Sequence, residues 1–164
     1  MEPDRPHLLA AHAVVPGLEE LLGERLVSVV LYGSVVHGRE RPDSDVDLLV
    51  VATELPNGPW RRRDLLRPVI EPAEDALRVH RPHACIAEVV KTPEEVRRGG
   101  PLYYDMTVPD ERVLLLDRGG FFAAWLAELG ARMAAYGSVR MTRHTGQKYW
   151  DLKLDFRPGD VLDL

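Results

Sequence analysis

Two short runs of residues, Gly33-Ser34 and Asp45-Val46-Asp47, have the types and spacing that phosphate chemistry requires. Gly33 and Ser34 close an apolar, β-branched stretch that predicts a buried strand over residues 26–34. Glycine lets a backbone or a phosphate approach closely, and serine offers both a helix cap and a hydroxyl. A short helix is predicted from Ser34, and its free amides would favour an anion such as a triphosphate.

Asp45 and Asp47 open a second predicted strand, residues 45–51, in which alternate residues face the same side. The two carboxylates would therefore project together beside the phosphate site. Neighbouring carboxylates repel each other unless a cation lies between them, and Mg²⁺ is the natural oxygen-binding partner. A phosphate site beside a divalent ion is what phosphoryl or nucleotidyl transfer requires, because metal ions neutralise charge and align the attacking and leaving oxygens.

Helices are predicted around these strands from the spacing of apolar residues. The pattern favours helices in the N-terminal segment from Leu8, over residues 61–80 and around residues 122–133. Thr92-Pro93-Glu94-Glu95 predicts another helix start, with Thr as the cap, Pro in the first turn and Glu at the third position. That helix is expected to stop at Gly99-Gly100.

Prolines within two of these segments predict interruptions. Pro16-Gly17 is expected to break the first helix. Pro68 and Pro72 conflict with an unbroken helix over residues 61–80, so that segment is expected to be kinked or divided into two pieces.

Further strands are predicted at residues 84–90 and 112–116, where short apolar runs are bounded by turn residues. The first of these runs, ACIAEVV, carries Glu88. The tail from Tyr149 to Leu164 is expected to pair at a sheet edge. No linker marks a second domain, so residues 1–164 are predicted to form one domain, with residues from about 101 onward as a C-terminal extension.

Composition and charge restrict the function classes. The 164 residues are 45% hydrophobic and 29% charged, as in folded globular domains. A net charge of -5 argues against long nucleic acid bound over a broad basic surface. Cys85 is the sole cysteine, so a reducing cytoplasm is expected, and Cys85 itself is expected in the core. The N-terminus is unlike a secretory signal, and no apolar run approaches the ~20 residues of a membrane helix.

The pattern resembles the signature of the DNA polymerase β-like nucleotidyltransferases, and most of all that of the minimal nucleotidyltransferase (MNT) proteins. It consists of Gly33, Ser34, Gly38, Ser44, Asp45 and Asp47 followed by apolar residues. The resemblance implies an α/β (α+β) fold with a small mixed sheet and helices packed on it. It also implies that Gly33 and Ser34, with Ser44, bind a nucleoside triphosphate, and that Asp45 and Asp47 ligate two Mg²⁺ ions.

Two further residues are site candidates beside that pattern. The family usually has a third carboxylate on a later, adjacent strand, and Glu88 is the acid available there. Glu88 is thereby expected to complete the catalytic and metal site, although an acid at a strand edge is often only solvated. Arg39 lies between the halves of the motif and could contact phosphates, and a surface loop position is the alternative. The basic run Arg61-Arg62-Arg63 is interpreted as a solvated helix start.

The resemblance implies a Mg²⁺-dependent transfer of NMP, AMP foremost, from NTP to a hydroxyl acceptor with release of pyrophosphate. MNT proteins often act as antitoxins that transfer AMP to a HEPN-type toxin, so a helical protein partner is implied. The competing hypothesis is a module of the same fold that binds nucleotide or protein without efficient turnover. The position of Glu88 discriminates between the two, and the sequence leaves the oligomeric state open.

Overall fold

A four-stranded mixed sheet forms the framework of the chain. The structure is a computed structural model that describes residues 5–164, so the first four residues of the N-terminal segment lie outside it. The strands are β1 (Leu26–Tyr32), β2 (Val46–Ala52), β3 (Ile86–Lys91) and β4 (Arg112–Asp117). Their spatial order is β3-β2-β1-β4. β1 is antiparallel to β2 and β4, whereas β2 and β3 are parallel. The predicted mixed α/β fold is confirmed.

Four α-helices accompany the sheet in the described part of the chain. They are α1 (Pro6–Leu22), α2 (Pro59–His80), α3 (Pro93–Arg97) and α4 (Phe121–Ala135). A full capping box at Thr92 and Glu95 begins α3, as the sequence predicts. Within residues 5–164, no helix is both long enough and apolar enough to cross a membrane.

The expected break at Pro16-Gly17 and the expected division of residues 61–80 into two helices are wrong. α1 runs through Pro16 without interruption, and α2 is one helix that contains both Pro68 and Pro72. Packing between the two helices explains the first case, because a side-chain carbon added at Gly17 would lie only 2.8 Å from a methyl of Val69. Close helix contact supplies free energy that offsets the hydrogen bonds lost at proline.

The sheet separates two hydrophobic cores. One face packs against α1 and α2, and Leu48 of β2 belongs to that core. The other face packs against α4 and the segment before β4, and Leu49 of β2 belongs there. Because side chains alternate along a strand, even-numbered residues of β2 face α1 and α2, and odd-numbered residues, Asp47 among them, face the other side.

The C-terminal tail forms a hairpin of its own. β5 (Val139–Thr142) pairs antiparallel with β6 (Lys148–Asp151) in a separate two-stranded sheet. The sequence suggests that the tail pairs at a sheet edge. The tail does not pair with the four-stranded sheet, because its strand belongs to this separate hairpin. Trp150 and Leu164 instead pack, partly buried, against the core on the α4 side.

Asp117 ties the last strand of the main sheet to the beginning of α4. Its Oδ1 accepts hydrogen bonds from the Ser28 hydroxyl at 2.7 Å and the Phe122 amide at 2.9 Å. Its Oδ2 accepts from the Ala123 amide at 3.0 Å. Ser28 is fully buried, so this carboxylate supplies the hydrogen-bond acceptor for a hydroxyl that water does not reach.

We expect Asp117→Ala to lower the free energy of unfolding by about 2–3 kcal/mol, because it leaves a buried hydroxyl and two helix-start amides without their acceptor. Urea denaturation measures this change. The control is Asp110→Ala at an exposed acid, for which the expected change is within about 0.5 kcal/mol. Equal stability of the two variants would contradict the role of Asp117.

Candidate active site

Gly33 occupies a backbone position that other residues rarely adopt. It follows β1 with φ of 76° and ψ of -157° and leads into a 3₁₀ turn, Ser34–His37. A side chain at Gly33 would overlap with the carboxylate of Asp47. Glycine is therefore required both for the positive φ and for the space. Gly33 is therefore the residue that allows the 3₁₀ turn and the beginning of β2 to lie against each other.

Asp45 and Asp47 stand at the beginning of β2, beside that turn. Asp47 pairs in register with Tyr32, the last residue of β1. Burial raises the pKa of the half-buried Asp47, and the charge of Asp45 raises it further. Burial and the charge of Asp47 raise the pKa of Tyr32 to about 12. Two carboxylates that repel each other at one strand end are the arrangement that a divalent cation stabilises.

Glu88 does not lie beside this pair. In the parallel pairing of β2 and β3, Glu88 stands opposite Leu48, on the face that packs against α1 and α2. Its Oε1 is 3.2 Å from Nε of Arg63 in α2, and its side chain is 2% exposed. The expectation that Glu88 completes the carboxylate set is wrong, because the register places it on the opposite face of the sheet.

Ala87 and Cys85 are the residues of the third strand region that approach the aspartates. Ala87 stands opposite Asp47 in register, and the Cys85 thiol donates a hydrogen bond to Oδ1 of Asp45 at 2.9 Å. Burial, followed by that hydrogen bond, raises the pKa of Cys85 to about 12, so the thiol stays neutral at pH 7. Cys85 was expected in the core and is instead a half-buried site residue. Only the strand register could have revealed this.

The side-chain donors for a divalent ion at this strand end are the carboxylates of Asp45 and Asp47. Within residues 5–164, no group of three or more His, Cys, Asp or Glu side chains is arranged to hold a metal ion. Asp45 and Asp47 supply two carboxylates, and the remaining oxygen ligands of a magnesium ion would come from water or from substrate phosphates, as is usual for Mg²⁺.

Ser44 and Arg39, the two other nucleotide-binding candidates, lie on either side of a turn. The Ser44 hydroxyl accepts a hydrogen bond from the Arg41 amide at 2.8 Å, which closes the turn before Asp45. The Arg39 amide donates to the Ser34 carbonyl at 3.3 Å, and its exposed side chain lines a cavity over the 3₁₀ turn. Their contacts with a nucleotide stay predictions.

That cavity, called here the turn cavity, has a volume of about 460 Å³. One wall is formed by the end of β1 and the 3₁₀ turn. The opposite wall comes from the segment before β4 and includes Leu102, Asp105 and Glu111. Its size falls within the usual range for sites that bind small molecules.

A second space, the β3 cleft, extends from Asp47 in the other direction and has a volume of about 610 Å³. Ala87 and Val89 line it, and the exposed indole of Trp60 stands at the start of α2 beside it. Tyr32 lines both spaces. The aspartate pair thus lies where the turn cavity and the β3 cleft approach each other.

A charged network anchors the turn cavity to the C-terminal hairpin. Glu111 Oε2 is 2.7 Å from Nε2 of His37, the last residue of the 3₁₀ turn. Its Oε1 accepts hydrogen bonds from Arg140 of β5 at 2.6 Å and from Lys148 of β6 at 3.2 Å. These hydrogen bonds, Arg140 first, lower the pKa of Glu111 to about 2. None of these long-range partners is evident from the sequence.

Comparison with known proteins agrees with the motif. A family model described as a nucleotidyltransferase domain matches residues 14–100, a little over half of the chain. A relative from Methanocaldococcus jannaschii, named as a protein adenylyltransferase, is 38% identical over 52 residues. That match covers 32% of this chain and 35% of the relative, so it spans about a third of the relative's length.

Solved structures resemble this chain only loosely. One is a toxin-antitoxin with AMP-PNP, at 13% identity and a TM-score of 0.43, covering 77% of this chain and 92% of that chain. Another is the complex of a tri-AMPylated Shewanella oneidensis HEPN toxin with its MNT antitoxin. Its match has 13% identity and a TM-score of 0.47, and it covers 79% of this chain and 87% of that chain.

We expect Gly33→Ala to destabilise the fold by about 1–3 kcal/mol and to displace Asp47, because the new methyl group is strained and overlaps with the carboxylate. Gly38→Ala is the matched control, since Gly38 also has a positive φ but a methyl group there meets only ordinary contacts. Gly38→Ala is expected to lower the free energy of unfolding by about 1 kcal/mol. Urea unfolding and binding of ATP with Mg²⁺ measure both variants, and similar binding by the two would contradict the steric role of Gly33.

We expect Glu111→Gln to lower the free energy of unfolding by about 1–2 kcal/mol at pH 7. The folded pKa of about 2 lies below the ordinary 4.5, so the stabilisation is complete above pH 4.5 and is lost as the pH falls toward 2. The difference in the free energy of unfolding between wild type and Glu111→Gln should therefore become smaller from pH 5 to pH 3, as measured by urea titrations. The exposed Glu20→Gln should differ little from wild type, and a gap that stays constant for Glu111→Gln would refute the assignment.

Proposed function

Because the chain belongs to the nucleotidyltransferase domain family, we propose that it transfers NMP, AMP foremost, from a nucleoside triphosphate to a hydroxyl. The acceptor oxygen bonds to the α-phosphorus, the bond to the bridging oxygen breaks, and pyrophosphate leaves while the hydroxyl proton passes to water. The observation that carries the proposal is the contact of Gly33 with the Asp47 carboxylate. It joins a turn suited to phosphate to a pair of carboxylates suited to a divalent ion.

The proposed cofactor is Mg²⁺ held by Asp45 and Asp47. When bound, Mg²⁺ would supply charge neutralisation for the triphosphate. The aspartates keep their carboxylates together at the start of β2, and Gly33, before the 3₁₀ turn that Ser34 begins, lies against the carboxylate of Asp47. The resemblance implies a second ion, for which Ala87 supplies no ligand at the neighbouring position of β3.

The strand order supports an assignment of the leaving pyrophosphate and the attacking hydroxyl to opposite sides of the aspartate pair. Nucleotidyl transfer requires the attacking and leaving oxygens on opposite sides of the α-phosphorus. The order β3-β2-β1 puts Asp45 and Asp47 between the turn after β1 and the β3 cleft. With the leaving pyrophosphate at Gly33 and Ser34, the acceptor hydroxyl enters from the β3 cleft.

A protein hydroxyl is the acceptor class that we propose. The name of the relative, a protein adenylyltransferase, supports this choice. A HEPN-type helical partner, which the MNT resemblance implies, is the specific candidate. Label transfer from ATP to a protein that is added to or co-purifies with the chain tests it.

The second candidate is a nucleotide-binding module with little turnover. Two observations favour it, namely the placement of Glu88 on the opposite face and of Ala87 beside Asp47. A site without a third carboxylate lacks a side chain of that type to accept the proton of the attacking hydroxyl. This candidate retains metal-dependent nucleotide binding and differs from the first only in rate.

The test measures Mg²⁺-dependent binding and turnover of each labelled NTP. We expect the Asp45→Asn, Asp47→Asn double variant to lose about 100-fold or more in metal-dependent ATP binding, since metal ions contribute several kcal/mol to such sites. Glu88→Gln is the matched acid-to-amide control and should bind ATP as wild type does, because Glu88 faces Arg63 rather than the aspartates.

Each outcome separates the candidates. Binding with transfer supports the enzyme, and binding without transfer to any offered acceptor supports the nucleotide-binding module. If the double variant binds ATP and Mg²⁺ as well as wild type does, the proposed site is wrong. If Glu88→Gln loses binding as strongly as the double variant does, the register argument is wrong.

A further inference from the structure

The turn cavity offers a place for the part of the nucleotide that Gly33 and the 3₁₀ turn Ser34–His37 do not hold. If the proposed function is correct, on which this inference rests, the triphosphate lies at Gly33 and Ser34, and the acceptor occupies the β3 cleft. The nucleoside must then lie in a space that adjoins the phosphates without blocking the acceptor. The turn cavity meets both conditions, because Gly33 and Ser34 line it and β3 does not.

The walls of the turn cavity have the chemistry of a base-binding pocket. Pro101, Leu102 and Met106 supply apolar surface on one side, and the Tyr32 ring contributes on the other. Asp105 adds a carboxylate to the same wall, and its side chain is 55% exposed. Small-molecule pockets typically combine apolar walls with a few placed polar groups that determine specificity.

Asp105 is held in one orientation by the C-terminal hairpin. Its Oδ1 is 3.0 Å from Nη2 of Arg140 and also accepts a hydrogen bond from the Trp150 indole at 3.0 Å. Among the hydrogen bonds of residues 5–164, these occupy Oδ1 alone and leave Oδ2 available to a ligand. A carboxylate that is oriented in advance loses little conformational entropy on binding.

Glu111, the other acid of the cavity, has no carboxylate oxygen left for a ligand. Both of its oxygens already have partners, which are His37 on one side and Arg140 with Lys148 on the other. Its side chain is only 15% exposed. Glu111 therefore positions the hairpin and the turn relative to each other, and Asp105 is the acid that is open to a ligand.

We infer that the turn cavity is the nucleoside pocket and that Asp105 selects a base with an exocyclic amino group, such as adenine. An ionised carboxylate accepts hydrogen bonds and donates none. The 6-amino group of adenine donates, whereas unsubstituted purine has no N–H donor on that edge and would leave the carboxylate unpaired. A buried or half-buried polar site rejects an analogue that leaves its groups without partners.

The specificity would come from the C-terminal extension rather than from the family core. The family match ends at residue 100, and Asp105, Arg140 and Trp150 all lie beyond it. The core supplies phosphate and metal contacts that are the same for every NTP. The extension supplies the contact that distinguishes one base from another.

The experiment compares binding of ATP and purine riboside triphosphate, which lacks the 6-amino group, each with Mg²⁺, by calorimetry on the full chain. We expect wild type to bind ATP about 10-fold or more tightly than purine riboside triphosphate, the usual effect of one hydrogen bond to a charged group. Asp105→Ala should reduce that preference to within about 2-fold, mainly because it weakens the binding of ATP. Asp110→Ala, an exposed acid in the same segment, should retain the preference.

Trp150→Phe provides a milder second variant, because it removes one anchor of Asp105 and retains an aromatic ring. An intermediate preference for ATP supports the inference. Equal binding of the two nucleotides by wild type, or an unchanged preference in Asp105→Ala, overturns it while leaving the proposed function intact. If wild type binds neither nucleotide, both the inference and the proposed function fail.

Discussion

The contact between Gly33 and the carboxylate of Asp47 is the constraint on which the rest of the site depends. It exists because β1 and β2 are antiparallel neighbours, so that the end of one strand lies beside the start of the other. Any side chain at Gly33 would occupy the space of the carboxylate, and the positive φ at Gly33 directs the chain away into the 3₁₀ turn. The backbone geometry at Gly33 thus brings the 3₁₀ turn beside the carboxylate of Asp47.

The face of the sheet on which a residue lies determines whether its side chain can approach the contact between Gly33 and Asp47. Both faces are buried under helices, so alternation along each strand assigns every side chain to one core or the other. Asp47 and Ala87 share a face, whereas Leu48 and Glu88 share the opposite one. The acid that sequence reasoning selected is therefore turned toward Arg63, and the site has two carboxylates flanked by a neutral thiol and a methyl group.

The segment after residue 100 contributes more than additional packing. It covers the core on the α4 side, and its hairpin reaches back to the 3₁₀ turn through Arg140, Glu111 and His37. The same arginine holds Asp105 at the wall of the turn cavity. The C-terminal extension and the 3₁₀ turn thus share one charged network, so changes in the hairpin should affect the turn cavity before the β3 cleft.

The sequence by itself determined the strands around the motif and the capped helix at Thr92, and it suggested roles for Gly33, Ser34, Asp45 and Asp47 that stay predictions. These features depend on residues that are close in the chain, where periodicity and local backbone preference decide the outcome. Tertiary structure alone decided that α1 and α2 continue through their prolines, that Glu88 faces away and that Cys85 contacts Asp45. It also brought Asp105 to Arg140 and Trp150. Each of these depends on strand register or on packing between distant segments, which no local pattern specifies.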